Sequence, residues 1–460
     1  MLKRYTELLS EEMEKIEGKP LTTPNSLTVK FKFQLIPGDM KWIASMSGEL
    51  SNSAHYFSSF ANVNKEDKGT IGGSIGNSDK DKWHPWDYNS RLQVVQKVEK
   101  FKVTDSGQRG RKGNKAKSTL PNRSEVTKFI ASEKSRQEFT PPLGKYVDQV
   151  KAEPLHVTNN AWQHWFMLVF SIVIQYTNTS QLKSSTALSD MPISSTLIIF
   201  FECLRVKAKC TRLCNAIKRW FSEKRPRGIE FSYRFTGLES KNLSWHFGSL
   251  IEVLVKISSI GNGTLVKLHG LHFVAVKLRD AAAIYSRVET TSDQVVELKT
   301  TCEQYFNAVQ LLFERVNPTV WSIGYAVPYH MKELYDMLGY GLGLNSMQGR
   351  EAKHVKLKNY VNNTCNVRKE LRWSIVFRHE FVSLLWLREA DPCYTSTKSK
   401  LVSYIPKKVQ NGDCLTCNCG LSKSAAEQGC KLCTSGVMSM IKQSMEGGKV
   451  TDALRQFGNL

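Results

Sequence analysis

Apolar residues fall at helical spacing from the first turn of the chain. Leu2, Tyr5, Leu8, Leu9, Met13 and Ile16 share one face and predict a charged amphipathic helix over 2–18. Thr23-Pro24-Asn25 then signals a turn. The period changes after it. Val29, Phe31, Phe33 and Leu35 alternate with Lys30, Lys32 and Gln34, which predicts a strand half-buried or at a sheet edge. That pattern stops at Pro37-Gly38-Asp39. Residues 62–90, rich in Gly, Asp, Ser and Lys, read as loop.

From about 145 to 390 the pattern is mostly helical. Its most apolar runs are WFMLVFSIVIQY (165–176) and PISSTLIIFFECLRV (192–206). Each is shorter than the ~18–20 apolar residues a bilayer crossing needs, so buried core helices are expected over a membrane hairpin. A helix over 203–222 carries Val206, Cys210, Leu213, Ile217 and Trp220 as an apolar stripe. Residues 247–279 fit helix or strand. A helix over 295–316 stops at Asn317-Pro318. Gly339, Gly341 and Gly343 mark a turn, with Asn345 or Ser346 as N-cap of a helix starting near Met347. A polar connector, 394–412, leads to a cysteine cluster. No internal repeat is found.

Charge points this helical chain toward a class of partner. Its 460 residues hold 64 Lys+Arg against 42 Asp+Glu, a formal net charge of +22. Hydrophobic residues make up 41% of it, which excludes wholesale disorder. The length allows roughly two to four domains. A strong positive field favours polyanions, nucleic acid before an anionic membrane surface. A plainly lysine-rich solvated surface is the bland alternative. The densest basic stretch, 97–137, reads as a linker or large loop, and its QRGRKGNKAK run offers Arg109, Arg111, Lys112 and Lys115 to phosphates. The polar face of the 203–222 helix offers Lys207, Arg212, Lys218 and Arg219. The N-terminus has no apolar core of a secretory signal.

The chemistry-bearing candidates are few. Asp39 follows the expected strand, where a rigid element can hold a carboxylate over a cleft; a turn aspartate is the simpler reading. Glu351 sits early in a helix among Arg350, Lys353 and His354, able to bind a metal beside phosphate-holding cations or to pair with those cations. Eleven cysteines are present, five of them between Cys414 and Cys433, spaced Cys414-x2-Cys417-x-Cys419-x10-Cys430-x2-Cys433. This uneven usage fits a reducing compartment and one local metal site. Two C-x2-C knuckles suit tetrahedral thiolate Zn2+ in a closed, structural site, which selects Cys414, Cys417, Cys430 and Cys433, with Cys419 as substitute. His269 and His272 show no partner nearby in sequence.

Five segments in register resemble one family: LTVKFKFQLIPGDMKW (27–42), AEPLHVTNNAWQHWF (152–166), CEQYFNAVQLLF (302–313), VPYHMKELYD (327–336) and GLNSMQGREAKH (343–354). They resemble the DDE transposases of the Transib and recombination-activating-recombinase group, over residues 1 to about 390. The chain is also similar to uncharacterised transposable-element proteins of invertebrates that share the QGREAKH run. The resemblance implies an α+β, mostly α fold: a partial RNase H-like core interrupted by a large helical insertion, plus a small C-terminal zinc tail. It divides the chain into a partial core (1–96), a basic linker (97–144), a helical insertion (145–335), C-terminal core helices (336–393) and the cysteine tail (394–460). It implies that Asp39 and Glu351 are the second and third acids of a Mg2+- or Mn2+-dependent strand-transfer site, working on DNA in the nucleus, with a homodimer allowed. The family's first acid would precede Met1. The chain departs from the family's internal zinc site too, since only His330 of a histidine pair is kept and Tyr325 takes the other place. The expectation is therefore a DNA-binding protein that does not cut by itself. A non-catalytic zinc-containing nucleic-acid-binding protein is the alternative, and a membrane-associated protein a third.

Overall fold

Amphipathic spacing at the N-terminus yields helix α1 (Leu2–Ile16), which buries Thr6, Ser10 and Met13. The computed structural model describes residues 2–103, 120–257, 260–365, 367–390 and 404–459. After α1 come β1 (Pro20–Thr22) and β2 (Thr28–Lys30), paired antiparallel with every residue exposed. They form the single sheet among the described residues. The long strand expected over 29–35 is cut short for a physical reason. Alternation stabilises a strand when a second layer covers its apolar face, and here Val29 and Phe31 stay exposed.

Helix α2 (Met40–Met46) starts at Asp39. The stretch after it has little regular structure yet is packed. Isolated bridges Tyr56↔Asn64, Ala61↔Pro85 and Ile75↔Trp83 shape it around Trp83, which is fully buried against the rings of Trp321 and Tyr325. Helices α3 (Tyr88–Val103) and α4 (Arg123–Ser132) join Val94, Val98, Val126 and Ile130 in a small core with Leu50, and Phe101 stacks on Phe129 at 4.3 Å. The described parts of the expected basic linker are thus folded. Lys97 pairs with Glu133 at 2.6 Å, and Lys102 and Arg123 both reach Glu138. Arg109, Arg111, Lys112 and Lys115 lie outside the described residues.

The helical body follows: α5 (Pro154–Gln175), α6 (Thr179–Ser184), α7 (Thr196–Val206), α8 (Thr211–Arg219), α9 (Gly237–Val255), α10 (Asn262–Tyr285), α11 (Ser292–Phe313), α12 (Pro318–Trp321) and α13 (Val327–Leu338). Local chemistry sets their starts. Glu153 accepts from Leu155 N and His156 N ahead of Pro154, and Asn317 caps α12 ahead of Pro318. The ambiguous 247–279 stretch is helical throughout its described residues, apart from the join between α9 and α10. The single helix expected over 203–222 is broken. Lys209 takes a left-handed φ of 53°, which separates α7 from α8.

Both apolar runs bury one face in the core, and Ile193, Ile199 and Val206 of the second stay exposed. Within α5, Trp165, Phe166, Val169 and Val173 are buried, and within α7, Leu197, Phe200 and Leu204 are. No described helix is long and apolar enough to cross a membrane. Helix α10 is the hub, packing against α5, α9 and α11. The Trp165 indole N–H donates to Leu271 O at 2.8 Å, so a large ring enters the core with its polar atom satisfied.

The chain divides into two compact units, Met1–Asn345 with Tyr404–Leu460, and Ser346–Ser403. In the smaller unit, α14 (Gln348–Asn363) meets α15 (Lys369–Ala390) through Lys353 and Lys356, both on the buried Glu380 carboxylate at 3.2 and 3.1 Å. Neither expected residue caps α14, whose cap position is Met347 with no side-chain cap bond. Ser346 Oγ accepts from Gln348 N at 3.3 Å, whereas Asn345 is buried in the larger unit and donates to Lys151 O and Ala152 O. The larger unit resumes with α16 (Lys407–Gln410), the cysteine segment, α17 (Gly436–Glu446) and α18 (Asp452–Gly458). Helices α17 and α18 both pack on α10.

Candidate metal centre

Four thiols converge at the C-terminal segment. The Sγ atoms of Cys417, Cys419, Cys430 and Cys433 all lie within 4.8 Å of one another. The first pair is set by a tight turn. A Thr416↔Ser422 bridge closes the loop, Cys417 N donates to Leu421 O at 2.8 Å, and Gly420 N donates to Cys417 O at 2.7 Å. Gly420 has a φ of +95°, a conformation a side chain would strain. The second pair sits on a helical turn, with Thr434 N donating to Cys430 O at 3.0 Å, just before Ser435 caps α17.

Cys419 and Cys430 sulfurs are 3.5 Å apart. Around a tetrahedral ion with metal–sulfur bonds of ~2.3 Å, sulfurs are spaced by ~3.8 Å, so the thiols are already near the positions of a four-sulfur site. This set can hold one metal ion. Hydrogen bonds among the four thiols pull Cys417 well below its usual range and push Cys419 and Cys433 above theirs. The scattered cysteines answer chiefly to burial. Burial pushes Cys210 up to about 12 and Cys203 and Cys214 up to about 11, which leaves them as inert, small apolar groups.

The ligand set differs from the sequence expectation by one residue. Cys414 is exposed and outside the group, and Cys419 stands in its place. Asp413 holds the preceding turn by accepting from Leu415 N at 2.9 Å and Thr416 Oγ1 at 3.2 Å, so the bridge begins only after Cys414. The missed signal was Cys417-Asn418-Cys419-Gly420, whose glycine permits the turn that brings Cys417 and Cys419 together.

A histidine from the hub helix also reaches this centre. His272, fully buried on α10, has its Nε2 3.3 Å from Cys433 Sγ and its ring 5.2 Å from Phe247. Its Nδ1 is buried with no hydrogen-bond partner. Burial, reinforced by His269, pushes His272 down to about 3. The two residues are 161 positions apart, so no spacing rule would join them. His269 instead bonds Leu265 O at 3.0 Å, and His330 accepts from Ala152 N at 3.0 Å.

The other candidates are dispersed. Asp39 Oδ1 accepts from Lys41 N at 2.9 Å and Trp42 N at 2.8 Å, the work of a helix N-cap. Glu351 belongs to the smaller unit, in the first turn of α14, with His354 Nδ1 at 3.8 Å. Arg350 precedes it on the same turn, and Lys353 is already in its pair with Glu380. Lys207, Arg212, Lys218 and Arg219 are all exposed. Arg212 and Arg219, with Asn215, Ala216 and Tyr233, line a concavity of about 380 Å³. Beneath them Leu213, Cys214 and Ile217 are buried.

No family model matches this chain, and no curated protein matches it.

Proposed function

We propose that the chain is a DNA-binding protein of transposase-like ancestry whose four-cysteine centre holds a structural zinc ion. The observation that carries the binding role is α8. It anchors an apolar stripe in the core while turning Arg212, Lys218 and Arg219 outward beside a shallow concavity, an arrangement suited to a phosphate backbone. Four thiolates leave no open coordination position, so the zinc serves folding rather than chemistry.

We further propose an RNase H-like core, with Asp39 and Glu351 as two of three acids for Mg2+ or Mn2+, and action in the nucleus. The support for this reading is the order of the five sequence segments between 27 and 354. Asp39 as a helix cap favours binding over cutting, because the oxygen facing α2 is engaged by two backbone N–H groups.

The test is fluorescence anisotropy on a labelled duplex over a salt series. Affinity should fall steeply with salt. Gln at 212, 218 and 219 together should weaken binding and reduce the log–log slope by about 0.9 for each phosphate no longer neutralised. A flat salt response would contradict the proposal. A nicking assay with Mg2+ or Mn2+ should show no product. Nicking that disappears in Glu351→Gln would replace the binding role with an enzymatic one.

A further inference from the structure

We infer that His272 is a positioning residue of the metal centre, donating its Nε2–H to the Cys433 thiolate so that hub helix α10 holds one metal-bound sulfur in place. The inference rests on the four-cysteine centre proposed above. Two roles are open to an imidazole nitrogen 3.3 Å from a thiolate sulfur: a ligand to the same ion, or a hydrogen-bond donor to the sulfur.

The other ring nitrogen decides between them. A histidine that binds metal through Nε2 carries its proton on Nδ1, and almost always donates that proton to a carboxylate, carbonyl or water. Here Nδ1 is buried and finds no acceptor among the described residues. Ligation would therefore bury an orphan N–H. With the proton on Nε2, the donor faces sulfur and only a lone pair is left bare, and under-satisfied acceptors are better tolerated than orphaned donors. The tautomer that satisfies the ring is the one that makes it a donor.

Charge gives the contact a purpose. Four thiolates around a divalent ion leave two negative charges in excess, and three of these four cysteines are buried. A hydrogen bond to a charged acceptor is stronger than a neutral one and draws density from the sulfur. Because the donor comes from α10, metal loading is tied to the core of the larger unit rather than confined to the segment that carries the cysteines.

The test uses the whole chain and three proteins: wild type, His272→Phe and His272→Gln. Gln can place an amide N–H near the Nε2 position. Each is loaded with Co2+ for its absorption spectrum and with Zn2+ for stoichiometry and competition against a chelator. All three should bind one ion with a four-sulfur Co2+ spectrum. His272→Phe should lose affinity by about 10–100-fold, and His272→Gln should recover most of it. Imidazole 15N shifts of the Zn2+-loaded wild type should report a proton on Nε2 and none on Nδ1. A nitrogen-ligand signature in the wild-type Co2+ spectrum that vanishes in His272→Phe would overturn the inference by making His272 a ligand. Unchanged chelator competition in His272→Phe would overturn it by making the contact mere packing. Failure of the wild type to bind any ion would instead overturn the centre itself.

Discussion

Two irregular stretches of the larger unit, 47–86 and 411–434, are held in place by different means. The first is held by charge sealed inside protein. Glu49, Arg91 and Arg136 side chains are 0%, 4% and 1% exposed. Glu49 takes Arg91 on one oxygen and Ser59 Oγ at 2.5 Å on the other. Arg91 also donates to Ser59 O at 2.7 Å and Gln137 Oε1 at 2.8 Å, while Arg136 donates to Phe57 O, Leu50 O and Asn52 Oδ1. The second stretch gathers four thiols and one imidazole, a set that can hold a cation. Buried charge is tolerated when each group has its partners. The first stretch draws its counter-charge, Glu49, from the chain itself, and the second would draw its own from solution.

The largest expected effect follows from that difference. Cys430→Ser, or a strong chelator, should abolish metal binding and expose 411–434 to protease while 47–86 stays protected. Limited proteolysis with mass mapping checks this, and equal cleavage of both stretches would break the comparison. Next in size is Glu49→Ala, which leaves two buried guanidinium groups without their carboxylate. It should cost about 3–5 kcal/mol in urea unfolding with metal content unchanged. A parallel loss of metal would show that the two stretches are not independent.

Acid gives a smaller effect, seated in the body between them. Burial, with Arg315 nearby, holds His164 down to about 4, against an ordinary value of 6.5. Burial shifts His246 and His269 in the same direction. Between those values the unfolded chain binds a proton that the folded chain refuses. Stability should therefore be complete above pH 6.5 and fall as pH drops toward 4. His164 contributes up to about 1.4 kcal/mol per pH unit in that window. His164→Gln should flatten the fall by that amount in urea titrations, and an unchanged slope would contradict the assignment. The smallest effect expected is Cys414→Ser, an exposed position outside the thiol group, which should leave both stability and metal content as they are.

What the sequence makes legible is what short-range pattern encodes. The spacing of Leu2 to Ile16 marks α1, and Asn317-Pro318 marks the end of the helix before it. The runs at 165–176 and 192–206 read correctly as core. The strand at 29–35 misleads because alternation speaks for one face and says nothing of a layer to cover it. The break at Lys209 is invisible because the apolar stripe continues through it in α8. The cysteine cluster is legible as a cluster, but its ligand set turns on one glycine-permitted turn at Gly420. Glu49, Arg91 and Arg136 are joined across 42 and 87 positions, and His272 and Cys433 across 161. Such contacts come from the packing of whole helices, which local pattern does not carry.

Cys417, Cys419, Cys430 and Cys433 are assigned as the thiols of the metal site. Elemental analysis of Cys414→Ser and Cys419→Ser beside the wild type tests that assignment most directly. One zinc per chain is expected in the wild type and in Cys414→Ser, and loss of zinc in Cys419→Ser. Zinc lost from Cys414→Ser and kept in Cys419→Ser would contradict it.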